Sequence, residues 1–323
     1  MAAAGFRSIR FGTALTPSTA KVIDKLPNAL KPWQPAVFGE KKDEFCKNFE
    51  NSTRFADPPK TSKGYPSVST LIGATDDLQK LYDWQCRTIK QMGGFPQFRE
   101  HMTKRQRSGT NFHKVVKMLL DELQKSGTLS DEASKAVIAK NSHEENRGYV
   151  TGLLPVLQQL RNVDYMCMER KATNYYYCYQ GRFDAIVELD GEPTLVDWKT
   201  ASAASVKSSG DTSLENLYGN PIQIAAYINA VNTDPAWKHL PKITRGAVVL
   251  AFEDGRPAQI VKLEANDVKR YTDAFAERLN KFWYTVLNPE PGQIDVSNNV
   301  NFVYNPMLRP TTTVPTEGLA AAV

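Results

Sequence analysis

Cysteine, histidine and long apolar runs are scarce in this sequence of 323 residues. The cysteines show no Cys-x-x-Cys spacing and no secretory context, which argues against a disulfide framework and predicts reduced thiols in a reducing compartment. They are Cys46, Cys86, Cys167 and Cys178. No apolar run approaches the roughly 20 residues that span a bilayer, so we expect no contact with the membrane interior. A Gly-x-x-x-x-Gly-Lys-Ser/Thr phosphate loop is also absent, so we expect no ATP-driven motor in this chain.

Acidic residues are missing from the first 23 residues, where Arg7, Arg10 and Lys21 are interspersed with alanine and hydroxyl residues. A basic, hydroxylated and acid-poor segment is typical of a mitochondrial transit peptide, and the continuous apolar core of a secretory signal is not present. We therefore predict a transit peptide over residues 1–23. The alternative is a disordered basic tail.

The whole chain has a net charge of +5 and a sequence pI near 8.8, which is compatible with a polyanionic partner but does not require one. Apolar residues make up 41% of the chain, enough for a sizeable core. Residues 24–64 are rich in proline, lysine, asparagine and serine and are predicted to be a linker. A disordered tail is predicted over residues 306–323.

The spacing of apolar residues predicts helices in the first half of the chain and strands in the second half. Ser108 is expected to open one of these helices, and the tyrosine-rich run Tyr175–Tyr179 is expected to form a strand. The continuously apolar segment Gly246–Phe252 predicts a strand that is buried on both faces. A long closing helix is predicted over Asn266–Leu287. This order predicts an α/β fold with a mixed β-sheet flanked by helices and an N-terminal helical layer.

The segment Gly181–Thr200 has the pattern of a β-hairpin that turns at Asp190-Gly191. Residues two apart on a strand point to the same face, so Asp197 and Lys199 should project together, with Trp198 on the opposite face. Asp184 lies on the first strand and should face the second strand near Asp197. The hairpin thus predicts two carboxylates and an ammonium group at one end of a sheet.

Carboxylate oxygens suit a hard cation such as Mg²⁺ or Mn²⁺. Such an ion can hold a phosphate and lower the pKa of a bound water, which the lysine can orient or deprotonate. The alternative is an ordinary hairpin with a solvated salt bridge. Glu169 is a third acidic candidate, although a solvated strand carboxylate is the favoured interpretation there.

Further along the chain, Gln223 and Tyr227 are four residues apart in a predicted helix and share one face. Both side chains end in hydrogen-bonding groups, and tyrosine can stack on a nucleobase. An amphipathic helix with a polar boundary pair would also explain this spacing. His113 is one of only four histidines, and taken alone it fits a packed or surface position as well as a metal ligand.

Four short patterns follow one another in a fixed order: Gly109-x-x-x-His113, Gly181-Arg182-Phe183-Asp184, Val196-Asp197-Trp198-Lys199 and Gln223-x-x-x-Tyr227. Together they resemble the RecB-like branch of the PD-(D/E)xK nuclease superfamily over roughly Tyr65 to Trp283. The resemblance implies a restriction-endonuclease-like core over residues 65–290, helical over 65–162 and sheet-containing over 163–290. Asp197 stands where many members of the superfamily have glutamate.

The resemblance also implies roles for individual side chains. The implied ligands of Mg²⁺ or Mn²⁺ are His113, Asp184, Asp197 and the backbone carbonyl of Trp198. Lys199 would position and polarise the attacking water, so that the implied catalytic residues are Asp184, Asp197 and Lys199. The implied substrate contacts are Gln223, Tyr227 and Thr200. Some relatives bind an iron–sulfur cluster through one early cysteine and three late ones, but no cysteine follows Cys178 here, so we expect no cluster.

The activity implied by the resemblance is metal-dependent hydrolysis of single-stranded DNA by an exonuclease of mitochondrial genome maintenance, in the matrix. Single-stranded DNA is the expected partner, and mitochondrial replication proteins stay open as further partners. The basic residues Lys104, Arg105, Arg107 and Lys114 are candidates to follow the DNA backbone, or they form a solvated helix face. Two alternatives stay open: an inactive nucleic-acid-binding module on the same fold, and an interaction protein in which Asp184 and Lys199 merely pair.

Overall fold

The structure is a computed structural model that describes residues 11–12, 65–76, 78–175, 177, 179–202, 212–287 and 294–295. The predicted linker, the predicted tail and nearly all of the predicted transit peptide lie outside the described residues, as do Cys46 and Cys178.

The described residues form seven α-helices and seven β-strands. The helices are α1 (Val68–Thr75), α2 (Leu78–Met92), α3 (Phe95–Ser126), α4 (Asp131–Asn141), α5 (Glu144–Leu157), α6 (Asn220–Thr233) and α7 (Ala265–Leu287). The strands are β1 (Phe11–Gly12), β2 (Cys167–Asn174), β3 (Tyr179–Leu189), β4 (Glu192–Ala201), β5 (Arg245–Phe252), β6 (Gln259–Leu263) and β7 (Ile294–Asp295). None of the described helices combines the length and the apolar character that crossing a membrane requires.

Five strands form one mixed sheet in the order β2-β3-β4-β5-β6. All neighbours in it are antiparallel except β4 and β5, which are parallel and are joined through α6. The two-residue strands β1 and β7 pair separately. A mixed sheet with helices on both faces confirms the predicted α/β fold with a restriction-endonuclease-like core.

The sheet separates two hydrophobic cores. On one face α1, α6 and α7 cover a core that includes Phe183, Ile224 and Phe275. On the other face α3 and α5 cover a core that includes Phe112 and Trp198. Since β5 lies between both cores, every one of its residues after Arg245 is buried, which explains its continuous apolar sequence.

The helix that carries His113 begins earlier than expected. Ser108 does not open it, because α3 starts at Phe95, after Gly94 in a conformation with φ of 138° and with a proline in its first turn. Gly109 therefore lies inside the helix. An interior glycine costs about 1 kcal/mol relative to alanine, and the buried face that includes Phe112 and Leu119 outweighs this cost.

Part of the tyrosine-rich run forms a turn rather than a strand. β2 ends at Asn174, and Tyr175 and Tyr177 lie in the turn that leads to β3. The Asn174 side chain accepts a hydrogen bond of 2.8 Å from the backbone N–H of Tyr177, which stabilises this turn locally. The prediction of a strand over Tyr175–Tyr179 was wrong for Tyr175 and Tyr177, whereas Tyr179 begins β3.

Candidate active site

The central hairpin forms where the sequence predicts it. β3 and β4 pair with Leu189 opposite Glu192, and the turn residues Asp190 and Gly191 have φ of 53° and 77°. Two successive positive φ angles characterise the type I′ turn that an Asp-Gly dipeptide favours.

At the other end of the hairpin the two strands separate. Their pairing stops at Ala185 opposite Val196, whereas β4 continues to pair with β5 as far as Ala201. Asp184 lies at this opening, and its Oδ2 accepts a hydrogen bond of 2.8 Å from the backbone N–H of Trp198. We call this opening, with Asp184 on one side and Asp197 on the other, the β3/β4 fork.

The side-chain alternation of β3 breaks at Asp184. Phe183 packs into the core under α6, but Ala185, two residues later, packs into the core under α3. Since residues two apart on a regular strand share a face, the backbone must twist between them. Across from this point on β2, Glu169 has a φ of 50°, which is uncommon for a residue other than glycine. Both carboxylates come to lie beside α3 at this break.

His113 of α3 meets these carboxylates. Its Nδ1 lies 3.5 Å from Asp184 Oδ2 and 3.9 Å from Glu169 Oε1, and one ligand atom from each of the three residues falls within 4.8 Å of the others. The second oxygen of Glu169 lies 2.9 Å from Nε of Arg182. The interpretation of Glu169 as a solvated strand carboxylate is therefore wrong. Periodicity could not reveal its position, because it depends on the break in the strand.

On the far side of the fork, Asp197 pairs with Lys199, as their spacing predicts. Lys199 Nζ lies 2.7 Å from Asp197 Oδ2, without the alignment of a hydrogen bond, and no other donor among the described residues reaches that buried oxygen. Lys199 Nζ also lies 3.5 Å from Gln223 Oε1, and Gln223 Nε2 donates a hydrogen bond of 2.8 Å to the hydroxyl of Tyr227. Gln223 and Tyr227, the predicted pair on α6, thus restrict the position of the Lys199 ammonium group.

A steric constraint explains why the Gly181-Arg182-Phe183-Asp184 pattern begins with glycine. A Cβ atom at Gly181 would overlap the ring of Tyr227. The close approach of this ring to β3 therefore requires glycine.

Burial and mutual charge set the protonation of the site. Burial and the neighbouring Asp197 raise the pKa of Asp184 well above its usual value. Burial and the charge of Lys199 lower the pKa of His113, which favours its neutral imidazole. Burial alone would lower the pKa of Lys199, but the charges of Asp197 and Asp184 outweigh this effect and raise it. Lys199 is therefore a cation and a hydrogen-bond donor at neutral pH.

The donor set fits a hard divalent cation. Carboxylate oxygens are the ligands that Mg²⁺ and Mn²⁺ prefer, and a neutral imidazole can complete such a site. At the same fork, the buried Asp197 Oδ2 has no aligned hydrogen-bond donor among the described residues and only the ammonium of Lys199 beside it. The compact group is His113, Glu169 and Asp184. Asp197 is instead held by Lys199, so the predicted ligand set lies in one region but is not one compact cluster.

The two other predicted residues lie on β4. The Trp198 side chain is buried in the core under α3, on the face opposite Asp197 and Lys199, as predicted. Its backbone N–H holds Asp184 in place. Thr200 is half-buried, and a methyl group placed on Gly109 would be 4.0 Å from its hydroxyl oxygen. The fork therefore opens towards α3 at Gly109.

Two depressions follow α3 away from the fork. The nearer one is lined by His113 and Asp184 together with the basic residues Lys114, Lys117 and Arg182. The farther one is lined by Arg99, Lys104 and Arg107, by the ring of Phe95, and also by Glu100 and Glu145. Lys104 forms an ion pair of 3.5 Å with Glu145. Of the four basic residues considered from the sequence, Lys104, Arg107 and Lys114 line these depressions and Arg105 does not.

Comparison with known proteins agrees with this geometry. The family model of the PD-(D/E)XK nuclease superfamily matches residues 81–295, more than half of the chain. The mouse protein named mitochondrial genome maintenance exonuclease 1 is 24% identical over 72% of this chain and 64% of its own length. The human protein of that name is 23% identical over 67% of this chain and 58% of its own length.

The chain thus spans less than two thirds of the length of these relatives. A solved structure titled "Crystal structure of SSO0001" is 11% identical, with a TM-score of 0.25 over 75% of this chain and 85% of that chain. The resemblance read from the four ordered patterns is confirmed by the family match and by the two relatives. This chain belongs to the PD-(D/E)XK nuclease superfamily.

Proposed function

We propose that this protein is a metal-dependent exonuclease that hydrolyses phosphodiester bonds in single-stranded DNA during mitochondrial genome maintenance, in the matrix. The observation that carries the proposal is the convergence of His113, Asp184, Asp197 and Lys199 on the β3/β4 fork. The names of the mouse and human relatives and the acid-poor residues 1–23 support the compartment. We propose a catalytic domain over residues 65–290, with a helical part over 65–162 and a sheet-containing core over 163–290.

His113, Asp184 and Asp197 would hold the cation together with the backbone carbonyl of Trp198, and Glu169 offers a further oxygen beside them. When bound, a divalent cation supplies Lewis-acid stabilisation of the charge that develops on the phosphate. The carboxylate oxygens of this donor set favour Mg²⁺ or Mn²⁺ over softer metals, and Asp184 would give up its proton when the cation binds.

Lys199 then acts as a fixed hydrogen-bond donor. Its ammonium group can orient the attacking water or stabilise a phosphate oxygen, and Asp197 and Gln223 restrict its position. In the reaction the water oxygen bonds to phosphorus and loses a proton to solvent, while the P–O bond to the sugar oxygen breaks and that oxygen takes up a proton from solvent to leave as a hydroxyl group. Gln223, Tyr227 and Thr200 would contact the nucleic acid next to this phosphate.

The basic lining of the two depressions supports a nucleic-acid strand along α3. Lysine and arginine attract the phosphates of both single-stranded and double-stranded nucleic acid. Phe95 also lines the farther depression, and an aromatic residue beside a strand can stack on an unpaired base, which is the reason to propose a single strand.

The test is degradation of DNA labelled at either the 5′ or the 3′ end, as single strand and as duplex, with Mg²⁺, with Mn²⁺ and with EDTA. Loss of the single strand in the presence of metal, but not with Lys199→Ala, is the expected result, and the position of the label gives the direction of digestion. An RNA strand of the same sequence is tested alongside. Tight binding without cleavage in either metal would contradict the proposal and identify an inactive nucleic-acid-binding module.

A further inference from the structure

Tyr218 is the most exposed large hydrophobic side chain in the described part of the protein. Its exposed fraction is 93%, whereas Trp84, the next such residue there, is 38% exposed. Tyr218 follows the short 3₁₀ helix Leu214–Leu217 and directly precedes Gly219 and α6. A ring left almost entirely in water contributes little to a hydrophobic core.

The backbone of Tyr218 is also unusual. Its φ and ψ are 52° and −127°, and those of Gly219 are −83° and 0°. These values match the two central positions of a type II′ turn, the first of which is dominated by glycine. Tyrosine at this position is strained, and its side chain gains no burial in return. Neither packing nor backbone preference explains this residue, and such an outlier points to a function.

The turn is fixed close to the candidate active site. The carbonyl of Gly219 accepts a hydrogen bond of 2.9 Å from the backbone N–H of Gln223, whose side chain lies 3.5 Å from Lys199. A Cβ atom at Gly219 would be 3.1 Å from Ile72, so the turn also packs tightly against α1. Tyr218 is therefore about one helical turn from the residue that contacts the lysine.

We propose that Tyr218 is a base-stacking subsite that binds one nucleobase of the DNA strand next to the β3/β4 fork. This proposal rests on the proposed nuclease function. No cation–π contact of Tyr218 occurs within the described part of the chain, and an exposed aromatic face suits a base rather than a phosphate. Stacking accepts any base because each has a π face. A second protein is the other occupant that an exposed ring could take, and the experiment below separates the two.

The experiment measures the affinity of the chain for a single-stranded oligonucleotide by fluorescence anisotropy, in the Lys199→Ala background so that the DNA is not degraded. Tyr218→Phe retains the ring and should bind within about twofold of Tyr218. Tyr218→Gly removes the ring and relaxes the turn, so its Tm should not fall, while Kd should rise about 5- to 150-fold. Tyr165→Ala is a control away from the fork, because the Tyr165 hydroxyl contacts Glu188 near the turn of the hairpin, and it should change Kd by less than about twofold.

A second set of oligonucleotides carries a single abasic site moved along the strand. With Tyr218 present, one position should weaken binding far more than its neighbours, and with Tyr218→Gly the same position should have no further effect. This coupling between ring and base is the signature of direct stacking. Unchanged affinity of Tyr218→Gly, or an equal loss at every abasic position, would overturn the proposal and favour a protein partner. If the parent protein, with Lys199 and Tyr218 intact, neither bound nor cleaved single-stranded DNA, the proposed nuclease function would fail together with the subsite.

Discussion

Replacing Gly109 with alanine should make the protein more stable and less active. Gly109 lies in the interior of the 32-residue helix α3, where its backbone has an ordinary helical conformation. The nearest atom to a Cβ built there is the Thr200 hydroxyl oxygen, at 4.0 Å. No contact in the fold therefore requires glycine, in contrast to Gly181, where a Cβ would overlap Tyr227.

The stability gain follows from helix propensity. Glycine in a helix interior costs about 0.5–1 kcal/mol relative to alanine. In a protein of this size such a gain corresponds to a rise in Tm of about 1–4 °C. Thr88→Ala on α2 is a suitable control, because it raises helix propensity at a position away from the fork and the depressions.

The expected loss of activity has a steric cause. The added methyl would be in van der Waals contact with Thr200 and would narrow the depression beside His113 and Asp184, where we propose that the phosphate binds. A displacement of about 1 Å at a reacting group can reduce a rate about 100-fold, so we expect kcat/KM on single-stranded DNA to fall about 10- to 100-fold. Hydrolysis of a small phosphodiester such as bis(p-nitrophenyl) phosphate should fall much less.

The assay compares the thermal melting curve and the kcat/KM of Gly109→Ala, Gly109→Ser and Thr88→Ala on both substrates. If Gly109→Ala melts at a higher temperature and cleaves DNA at the parental rate, the glycine is not needed for access to the site. Equal losses on DNA and on the small phosphodiester would point to a distorted metal site instead.

Four further predictions follow from the same geometry. Glu169→Gln should weaken Mn²⁺ binding about 10-fold with little change in Tm, as measured by calorimetry, and an unchanged affinity would place Glu169 outside the metal site. Gly181→Ala should lower the free energy of unfolding by about 1–3 kcal/mol in urea titrations, because its methyl overlaps the Tyr227 ring. Since the pKa of Asp184 is raised, a cation must displace its proton, and metal affinity should therefore rise with pH. Calorimetric titrations in buffers of different ionisation enthalpy should show the release of this proton on metal binding. A fluorescent reporter fused to residues 1–23 should enter mitochondria, and replacing Arg7 and Arg10 with glutamate should leave it in the cytosol.

Local chemistry made the hairpin predictable. An Asp-Gly turn and alternating side chains fix the register of β3 and β4, which places Asp184 across from β4 near Asp197. Asp197 and Lys199 share a face because they are two residues apart on one strand. The contact between Gln223 and Tyr227 was equally predictable, because residues four apart on a helix are neighbours. The position of His113 was different: its place beside Asp184 came from the family resemblance, since nothing in the helix pattern points to a strand more than 60 residues away.

The features that the sequence did not reveal depend on tertiary structure. Both Gly93-Gly94 and Ser108-Gly109 look like helix boundaries, and only the buried contacts of α3 carry the helix through the second pair. Glu169 was considered as a candidate but interpreted as a solvated carboxylate, because its φ of 50° interrupts the alternation on which strand patterns rest. In each case a long-range contact overrides a local preference.

The broken alternation is what makes a single site possible. Asp197 and Lys199 project towards α6, whereas His113 belongs to α3, on the opposite face of the sheet. A continuous sheet would keep these groups apart, because hydrogen-bonded strands leave no gap through which side chains on its two faces can meet. The separation of β3 from β4 after Ala185 opens a passage, and Asp184 occupies it with one oxygen on the Trp198 N–H and within reach of His113. The fork therefore brings a lysine from one face of the sheet and a histidine from the other to two neighbouring carboxylates, Asp197 and Asp184.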